Sequence, residues 1–151
     1  MTPYRERLVP PLQVFAALLL LVPACVLVFL PINLAVGWGL GIALYIIFGL
    51  MLVFGSPVLT VSPEGFRAGR GVLYPTEMGT ATAFFAEEAT AERGVRLDAR
   101  AWTVFRGWVH PVLKIDLNDL DDPAPFWLVS TRHPQKLSRA IDSIRPRTPG
   151  R

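Results

Sequence analysis

The first part of the chain is an apolar stretch too long to be the core of a small globular domain. No Asp, Glu, Lys or Arg occurs from Leu8 to Pro63. Since a bilayer span needs roughly 20 apolar residues, this stretch has room for two spans and a turn. Pro31-Ile32-Asn33 breaks the pattern between them. The sequence therefore predicts a membrane α-helical hairpin with spans at about 12–30 and 36–54.

Two features inside the spans bear on how the helices pack. Pro23 lies within the first span, where its missing N–H and its ring favour a kink. Gly37 and Gly41 open the second span with a spacing that lets helix backbones approach closely. We expect these glycines to pack within the hairpin rather than to mediate dimerisation.

Cys25 is the only cysteine, so the chain has neither a disulfide framework nor a thiolate cluster for zinc. Val22-Pro23-Ala24-Cys25 resembles the cleavage box of a bacterial lipoprotein. Pro23 fits poorly beside a processing site, however, and the apolar run continues to Leu30, where a mature lipoprotein turns polar. The favoured interpretation is an ordinary thiol buried in the membrane.

From Pro57 onward, apolar and polar residues alternate with period two, which is typical of β-strands. Pro63-Glu64-Gly65 and Arg70-Gly71 supply turn residues between the first strands. A short polar helix at 86–93, ended by Gly94, separates the fourth strand from the fifth. The predicted strands lie at 59–62, 66–69, 72–74, 80–85, 102–106, 112–117 and 126–131.

The end of the chain predicts an amphipathic helix. Pro134 suits the first helical position and Pro146 ends the helix. A single apolar stripe, with the spacing i, i+3, i+4 and i+7, is formed by Leu137, Ala140, Ile141 and Ile144. Four strands, a short helix, three strands and a closing helix are the element order of a pleckstrin-homology-like domain. We therefore predict a small α+β domain that is mostly antiparallel β and closed by a C-terminal amphipathic helix.

The predicted organisation has three parts: an N-terminal flank with the hairpin at 1–56, a cytoplasmic β-rich domain at 57–145, and a basic tail at 146–151. Only 18% of the residues are charged and 52% are hydrophobic, which argues against soluble, secreted-globular and disordered classes. Orientation follows from Arg5 and Arg7 before the spans and Arg67 and Arg70 after them, since the connecting turn has no basic residue. A multi-pass plasma-membrane protein with both termini in the cytoplasm is expected.

The net charge of +3 is a property of the chain's end. Residues 64–131 carry more acidic than basic side chains, which argues against nucleic acid as a partner. The last twenty residues, in contrast, are strongly basic. Anionic lipid headgroups are a candidate ligand for this tail, and a solvated tail is the open alternative. The candidate lipid-facing residues are Lys136, Arg139, Arg145 and Arg147.

The polar residues form no pattern typical of a catalytic, cofactor or metal site. His110 and His133 lack a second ligand at a suitable spacing. Ser130 lacks the Gly-x-Ser-x-Gly turn that exposes a nucleophile. The acidic run from Asp116 to Asp122 fails the EF-hand register, since Asp121 stands where glycine is required. We expect no enzymatic activity, no metal and no cofactor.

Three stretches together resemble an actinobacterial family of small two-span membrane proteins catalogued as a domain of unknown function. They are Tyr4-Arg5-Glu6-Arg7-Leu8, Leu97-Asp98-Ala99-Arg100-Ala101, and Phe126-Trp127-Leu128-Val129-Ser130-Thr131-Arg132-His133-Pro134. The resemblance implies a bacterial plasma-membrane protein with no assigned activity and no catalytic residues. It also directs attention to the charged motif residues Asp98, Arg100 and Arg132.

Asp98 and Arg100 lie on one face if their segment is extended, and Arg132 precedes the last helix, where it can meet a carboxylate. A structural ion pair and a partner-binding site are both open interpretations. We expect a non-enzymatic, membrane-tethered interaction or scaffolding module that binds a membrane or cytoplasmic protein, with a second copy of the chain left open as partner. The alternatives are an accessory subunit of a membrane enzyme or transporter, or an anionic-lipid-binding module.

Overall fold

The computed structural model describes residues 3–146. Within these residues it has a helical unit of residues 9–56 and a β-rich unit of residues 3–8 and 57–146. The β-rich unit is therefore built from two segments that are separated in sequence by the whole helical unit.

The helical unit contains α1 (Leu12–Leu19), α2 (Leu21–Phe29) and α3 (Leu34–Phe54). The helix is interrupted at Leu20, as expected of Pro23. The proline ring clashes with the carbonyl of Leu19, four residues earlier, and the proline nitrogen has no hydrogen to donate to a helical hydrogen bond. Asn33 starts α3, because its side-chain oxygen accepts from the backbone N–H groups of Ala35 (2.9 Å) and Val36 (3.3 Å). This cap explains why α3 begins two residues earlier than predicted. Two helical segments, Leu12–Phe29 and Leu34–Phe54, are thus long and apolar enough to cross a membrane.

Gly37 and Gly41 allow α2 and α3 to pack at close range, in the role that their spacing predicts. A Cβ atom on Gly37 would lie 2.9 Å from the Cα of Val26, and one on Gly41 would lie 2.9 Å from the Cα of Val22. Both distances are too short for any side chain, so glycine is required for the helices to pack this way. The contact lies inside the hairpin.

The β-rich unit contains two four-stranded sheets, with strand orders β1-β2-β3-β4 and β5-β7-β8-β6. All pairs are antiparallel except β6 with β8, which are parallel. A 3₁₀ turn at Pro75–Glu77 connects the two sheets. The strands and helices are β1 (Tyr4–Arg7), β2 (Val58–Ser62), β3 (Gly65–Ala68), β4 (Gly71–Leu73), β5 (Met78–Phe84), α4 (Ala86–Arg93), β6 (Trp102–Val104), β7 (Val112–Leu117), β8 (Phe126–Ser130) and α5 (Pro134–Ile144).

Strand β1 was not among the seven predicted strands. It pairs with β2 in a register that runs from Tyr4 opposite Val61 to Arg7 opposite Val58. The backbone N–H of Leu8 then donates to the carbonyl of Pro57 (3.0 Å), and the Leu8 side chain is completely buried. A four-residue strand with three charged side chains lacks the apolar alternation that signals a strand. The structure thus makes the segment before the first helix part of the β-rich unit.

One hydrophobic core joins both sheets and the last helix. Phe66 and Leu73 of the first sheet and Ile115 and Val129 of the second belong to the same buried cluster. Helix α5 contributes the apolar stripe predicted for it: Leu137, Ala140 and Ile141 are fully buried and Ile144 partly buried. A mostly antiparallel sheet domain beside an apolar helical pair is thus confirmed. The pleckstrin-homology-like fold and closure by the C-terminal helix stay predictions.

Replacing Ile141 by Ala is expected to lower the free energy of unfolding by about 2–5 kcal/mol, because it removes buried methyl groups and leaves a cavity. The measurement is thermal unfolding of the purified full chain in mild detergent. Arg139→Ala on the exposed side of α5 is the control and should change stability by less than about 0.5 kcal/mol. Equal unfolding curves for both variants would contradict the packing of α5.

Candidate functional site

Asp98 and Arg100 form a local ion pair in the turn after α4. The backbone N–H and Nε of Arg100 donate to Asp98 Oδ1 (2.9 and 3.2 Å), and Nη2 donates to Oδ2 (3.0 Å). These hydrogen bonds hold the pKa of Asp98 below and that of Arg100 above their ordinary values. The Arg100 side chain is 70% exposed, so the pair lies at the surface, where such pairs contribute little to stability.

Arg132 does not join this pair but lies beside Glu6 of β1. Glu6 Oε1 accepts from the backbone N–H of Arg132 (2.9 Å), and the Arg132 guanidinium lies 3.9 Å from the same oxygen. Arg132 Nη1 also donates to the carbonyl of Arg7 (3.4 Å). The three predicted site residues are therefore divided between two places in the fold.

Glu6 is the centre of a polar junction, which we define as Tyr4, Glu6, Thr131 and Arg132. Glu6 Oε2 accepts from the hydroxyls of Tyr4 (2.6 Å) and Thr131 (2.5 Å). Only 9% of the Glu6 side chain is exposed, and Thr131 is buried. Burial, together with the hydrogen bond to Glu6, raises the pKa of Tyr4 above its ordinary value. The carboxylate thus accepts three hydrogen bonds, and the junction fixes β1 to the segment between β8 and α5.

The sequence analysis missed the role of Glu6, which it named only within the first family-like stretch. One signal that points to it is an acidic residue placed between two arginines directly before the apolar run. A second signal is that the first and the third of the three family-like stretches contain the two halves of the junction. The middle stretch packs nearby, because Leu97 and Ala101 contact the cluster that includes Phe126 and Leu128 of β8. The first and the second stretch therefore both contact the region around the third, the first at Thr131 and Arg132 and the second at the cluster that includes Phe126 and Leu128.

A second group of buried charges lies on the face of α4 that packs against the sheet. Glu92 is almost fully buried and accepts from Arg96 (3.2 Å) and from Lys114 of β7 (3.2 Å). Lys114 also lies 4.3 Å from the ring centre of Phe126, a cation–π contact. These pairs satisfy the Glu92 carboxylate, which would be costly to bury alone.

Arg93, the residue after Glu92, donates hydrogen bonds to neutral groups rather than to a carboxylate. Its Nη2 donates to the Ser130 hydroxyl (2.8 Å) and to the carbonyl of Val109, and its guanidinium lies 5.4 Å from the Phe105 ring centre. Its buried Nε has no hydrogen-bond partner. Burial lowers the pKa of Arg93. Ser130 also accepts from the backbone N–H of Arg106 (3.3 Å), so its hydroxyl faces donors rather than a general base.

The predicted lipid-facing residues have different environments. Lys136 and Arg139 are exposed on α5. Arg145 instead forms an ion pair with Asp142 (3.3 Å) and donates to the carbonyl of Gly79 (2.7 Å). Arg147 lies outside the described residues.

A surface cleft of about 640 Å³ lies beside Arg145 and is lined among others by Gly79, Asn118 and Asp142. Arg145 is already neutralised by Asp142, and the Asn118 amide donates to the carbonyl of Met78 (2.9 Å). Within residues 3–146, no group of three or more His, Cys, Asp or Glu side chains could hold a metal ion. The expectation that the chain needs no metal or cofactor stays a prediction.

Glu6→Ala is expected to destabilise the β-rich unit by about 1–3 kcal/mol, because buried donors from Tyr4 and Thr131 lose their acceptor. Thermal unfolding of the full chain in mild detergent measures the effect. The matched control is Glu64→Ala, which removes the same side chain from the exposed turn between β2 and β3 and should change little. If the two variants unfold alike, the junction does not stabilise the fold.

Comparison with known proteins gives one family match. The family model described as a protein of unknown function (DUF3093) matches residues 3–141, which includes both segments of the β-rich unit and the helical unit between them. Neither the curated proteins nor the solved structures contain a match. By the extent of this match, the chain belongs to the DUF3093 family of proteins of unknown function.

Proposed function

We propose that this chain is a two-span membrane protein whose β-rich unit is a non-enzymatic interaction module on the cytoplasmic side of the plasma membrane. The observation that carries the proposal is the pair of charge-free helices, most of whose apolar side chains are not covered by the described part of the protein. In the most apolar window of each segment, 6% and 11% of the residues are buried. A helix that is apolar on all sides needs an apolar environment, and lipid supplies it where protein does not.

Because β1 is a strand of the first sheet, its position argues against cleavage of the first helix as a signal sequence. Cleavage at or after that helix would also remove Glu6 and Leu8 from the β-rich unit. Leu8 is completely buried, and the Glu6 carboxylate accepts from Thr131 and from the backbone of Arg132. A processed chain would thus lose an edge strand, a core side chain and the acceptor of the polar junction. The same reasoning disfavours lipoprotein processing at Cys25.

The pairing of β1 with β2 also constrains the topology. Residues before and after the helical unit belong to one sheet, so both lie on the same side of a membrane that the hairpin crosses. The arginines next to the two spans favour the cytoplasmic side, because basic flanks are retained there.

The interaction role rests on how the charged side chains are used. Glu6, Glu92 and Arg93 are engaged in contacts that hold the fold together. Asp98 and Arg100 instead form an ion pair at the surface. The hydrogen bonds between them hold both side chains in one orientation. A partner with complementary charges can bind such a preorganised pair without a large cost in side-chain entropy. We assign the partner-binding surface to this pair.

Cysteine labelling of intact cells tests the topology. In a Cys25→Ser background, Ile32→Cys in the helix–helix turn should react with a membrane-impermeant maleimide from outside. Ser143→Cys on α5 should react only after the cells are lysed. Labelling of residue 143 in intact cells, or labelling of residue 32 only after lysis, would contradict the proposed orientation.

Affinity purification in mild detergent tests the interaction role. The double variant Asp98→Ala/Arg100→Ala should lose a partner that the unaltered chain retains. The matched control is Asp142→Ala/Arg145→Ala, which removes a second local ion pair and should retain the partner. Equal retention by both variants would exclude this pair as the binding surface. Turnover of a substrate by the purified chain alone would contradict the non-enzymatic role.

A further inference from the structure

The outer face of the first sheet gathers arginines that are far apart in sequence. Along each strand of a sheet, alternate side chains point to the same face. In β1, Glu6 lies on the inner side, while Arg5 and Arg7 are exposed. In β3, Phe66 and Ala68 are buried, while Arg67 between them is exposed.

The strand register aligns these arginines. Arg5 is opposite Thr60, Thr60 is opposite Arg67, and Arg67 is opposite Val72, so one row crosses all four strands. Because neighbouring strands are about 4.8 Å apart, Arg5 and Arg67 are separated by roughly 10 Å.

A second row begins with Arg7, which is opposite Val58. The carbonyl of Val58 accepts from the N–H of Gly69 (3.3 Å), at the turn that carries Arg70. Gly69 adopts the left-handed conformation (φ 60°), which glycine takes without strain, and Arg70 beside it is exposed. We call Arg5, Arg7, Arg67 and Arg70 together the arginine face.

Three of the four arginines of this face carry charges that no ion pair neutralises within the described chain. Arg5, Arg67 and Arg70 have no ion-pair partner among residues 3–146. The acidic residues of β1–β4 and their turns are Glu6, which belongs to the polar junction, and Glu64, which lies in the turn between β2 and β3. Residues 74–131, by contrast, carry nine acidic and five basic side chains. Positive charge is therefore in excess on this sheet face and on α5, which exposes Lys136 and Arg139, while residues 74–131 carry an excess of negative charge.

We propose that the arginine face binds the anionic phospholipid headgroups of the membrane that the two helices span. This inference rests on the proposed membrane location. Only residues 8–11 connect β1 to α1, and only residues 55–57 connect α3 to β2. Such connections reach at most ~18 Å and ~14 Å, so the strands of the arginine face cannot move far from the ends of the spans.

The proposal differs from the lipid-binding tail predicted from the sequence. Its arginines lie on the strands that are joined directly to the two spans, whereas the predicted tail follows the last helix. Attraction to a lipid surface falls off within a Debye length of roughly 8–10 Å. Arg145 is also paired with Asp142, which leaves Lys136 and Arg139 as the exposed cations described on α5.

The test uses the full chain in nanodiscs, whose two leaflets have the same composition, so that insertion direction does not matter. A Cys25→Ser/Val72→Cys variant carries a fluorophore at residue 72, at the end of the first arginine row. The nanodiscs contain phosphatidylcholine alone or mixed with phosphatidylglycerol, with a quencher on a fraction of the headgroups. Quenching should increase with phosphatidylglycerol and decrease with added salt.

Arg5→Gln/Arg67→Gln should lower the ratio of docked to undocked domain about 30-fold, which corresponds to ~1 kcal/mol for each of the two arginines. The matched control, Lys136→Gln/Arg139→Gln, removes the same charge from α5 and should keep the lipid dependence. Quenching that is independent of phosphatidylglycerol in an inserted chain overturns this inference alone. Loss of the dependence in the α5 control but not in the sheet variant also overturns it, and assigns the lipid to α5. Failure of the chain to enter nanodiscs overturns the proposed membrane location and this inference together.

Discussion

The pairing of β1 with β2 is the interaction on which the rest of the molecule depends. It joins two segments that flank the entire helical unit, so forming it closes a loop of that length, at an entropic cost that grows only slowly with loop size. The loop is also structured, because α2 and α3 pack through Gly37 and Gly41. The helical hairpin and the strand pair therefore favour one another: a packed hairpin shortens the search for the pairing, and the pairing holds both ends of the hairpin.

The polar junction secures this pairing at a second point. Antiparallel hydrogen bonds connect β1 to β2 alone, whereas Glu6 connects β1 to Thr131 and Arg132, which lie between β8 and α5. A buried carboxylate is costly unless its oxygens are satisfied, and three donors satisfy this one. The junction therefore gives Glu6 and Thr131, which lie in two of the family-like stretches, a role in holding the fold together. Arg132 thus stabilises the fold through Glu6, whereas Asp98 and Arg100 form the surface pair that is proposed to bind a partner.

Charge is unevenly distributed over the β-rich unit. The arginine face belongs to the sheet whose strands β1 and β2 lie before and after the helical unit in the sequence, residues 74–131 carry an excess of acidic side chains, and α5 exposes Lys136 and Arg139. If the helices span an anionic bilayer as proposed, the bilayer attracts the arginine face and repels the acidic segments.

The features that depend on local pattern could be predicted from the sequence. A charge-free stretch long enough for two spans, the proline and asparagine that divide it, the period-two strands and the stripe of α5 all follow from neighbouring residues. The Asp98–Arg100 pair is of the same kind, since its partners are two residues apart. Tertiary structure alone decided that Tyr4–Arg7 is a strand, that β6 pairs in parallel with β8, and that Glu6 meets Thr131. It also decided that Arg5 and Arg67 share a row. These features depend on strand register between distant segments, and register is set by the burial of one whole sheet face rather than by any residue's sequence neighbours.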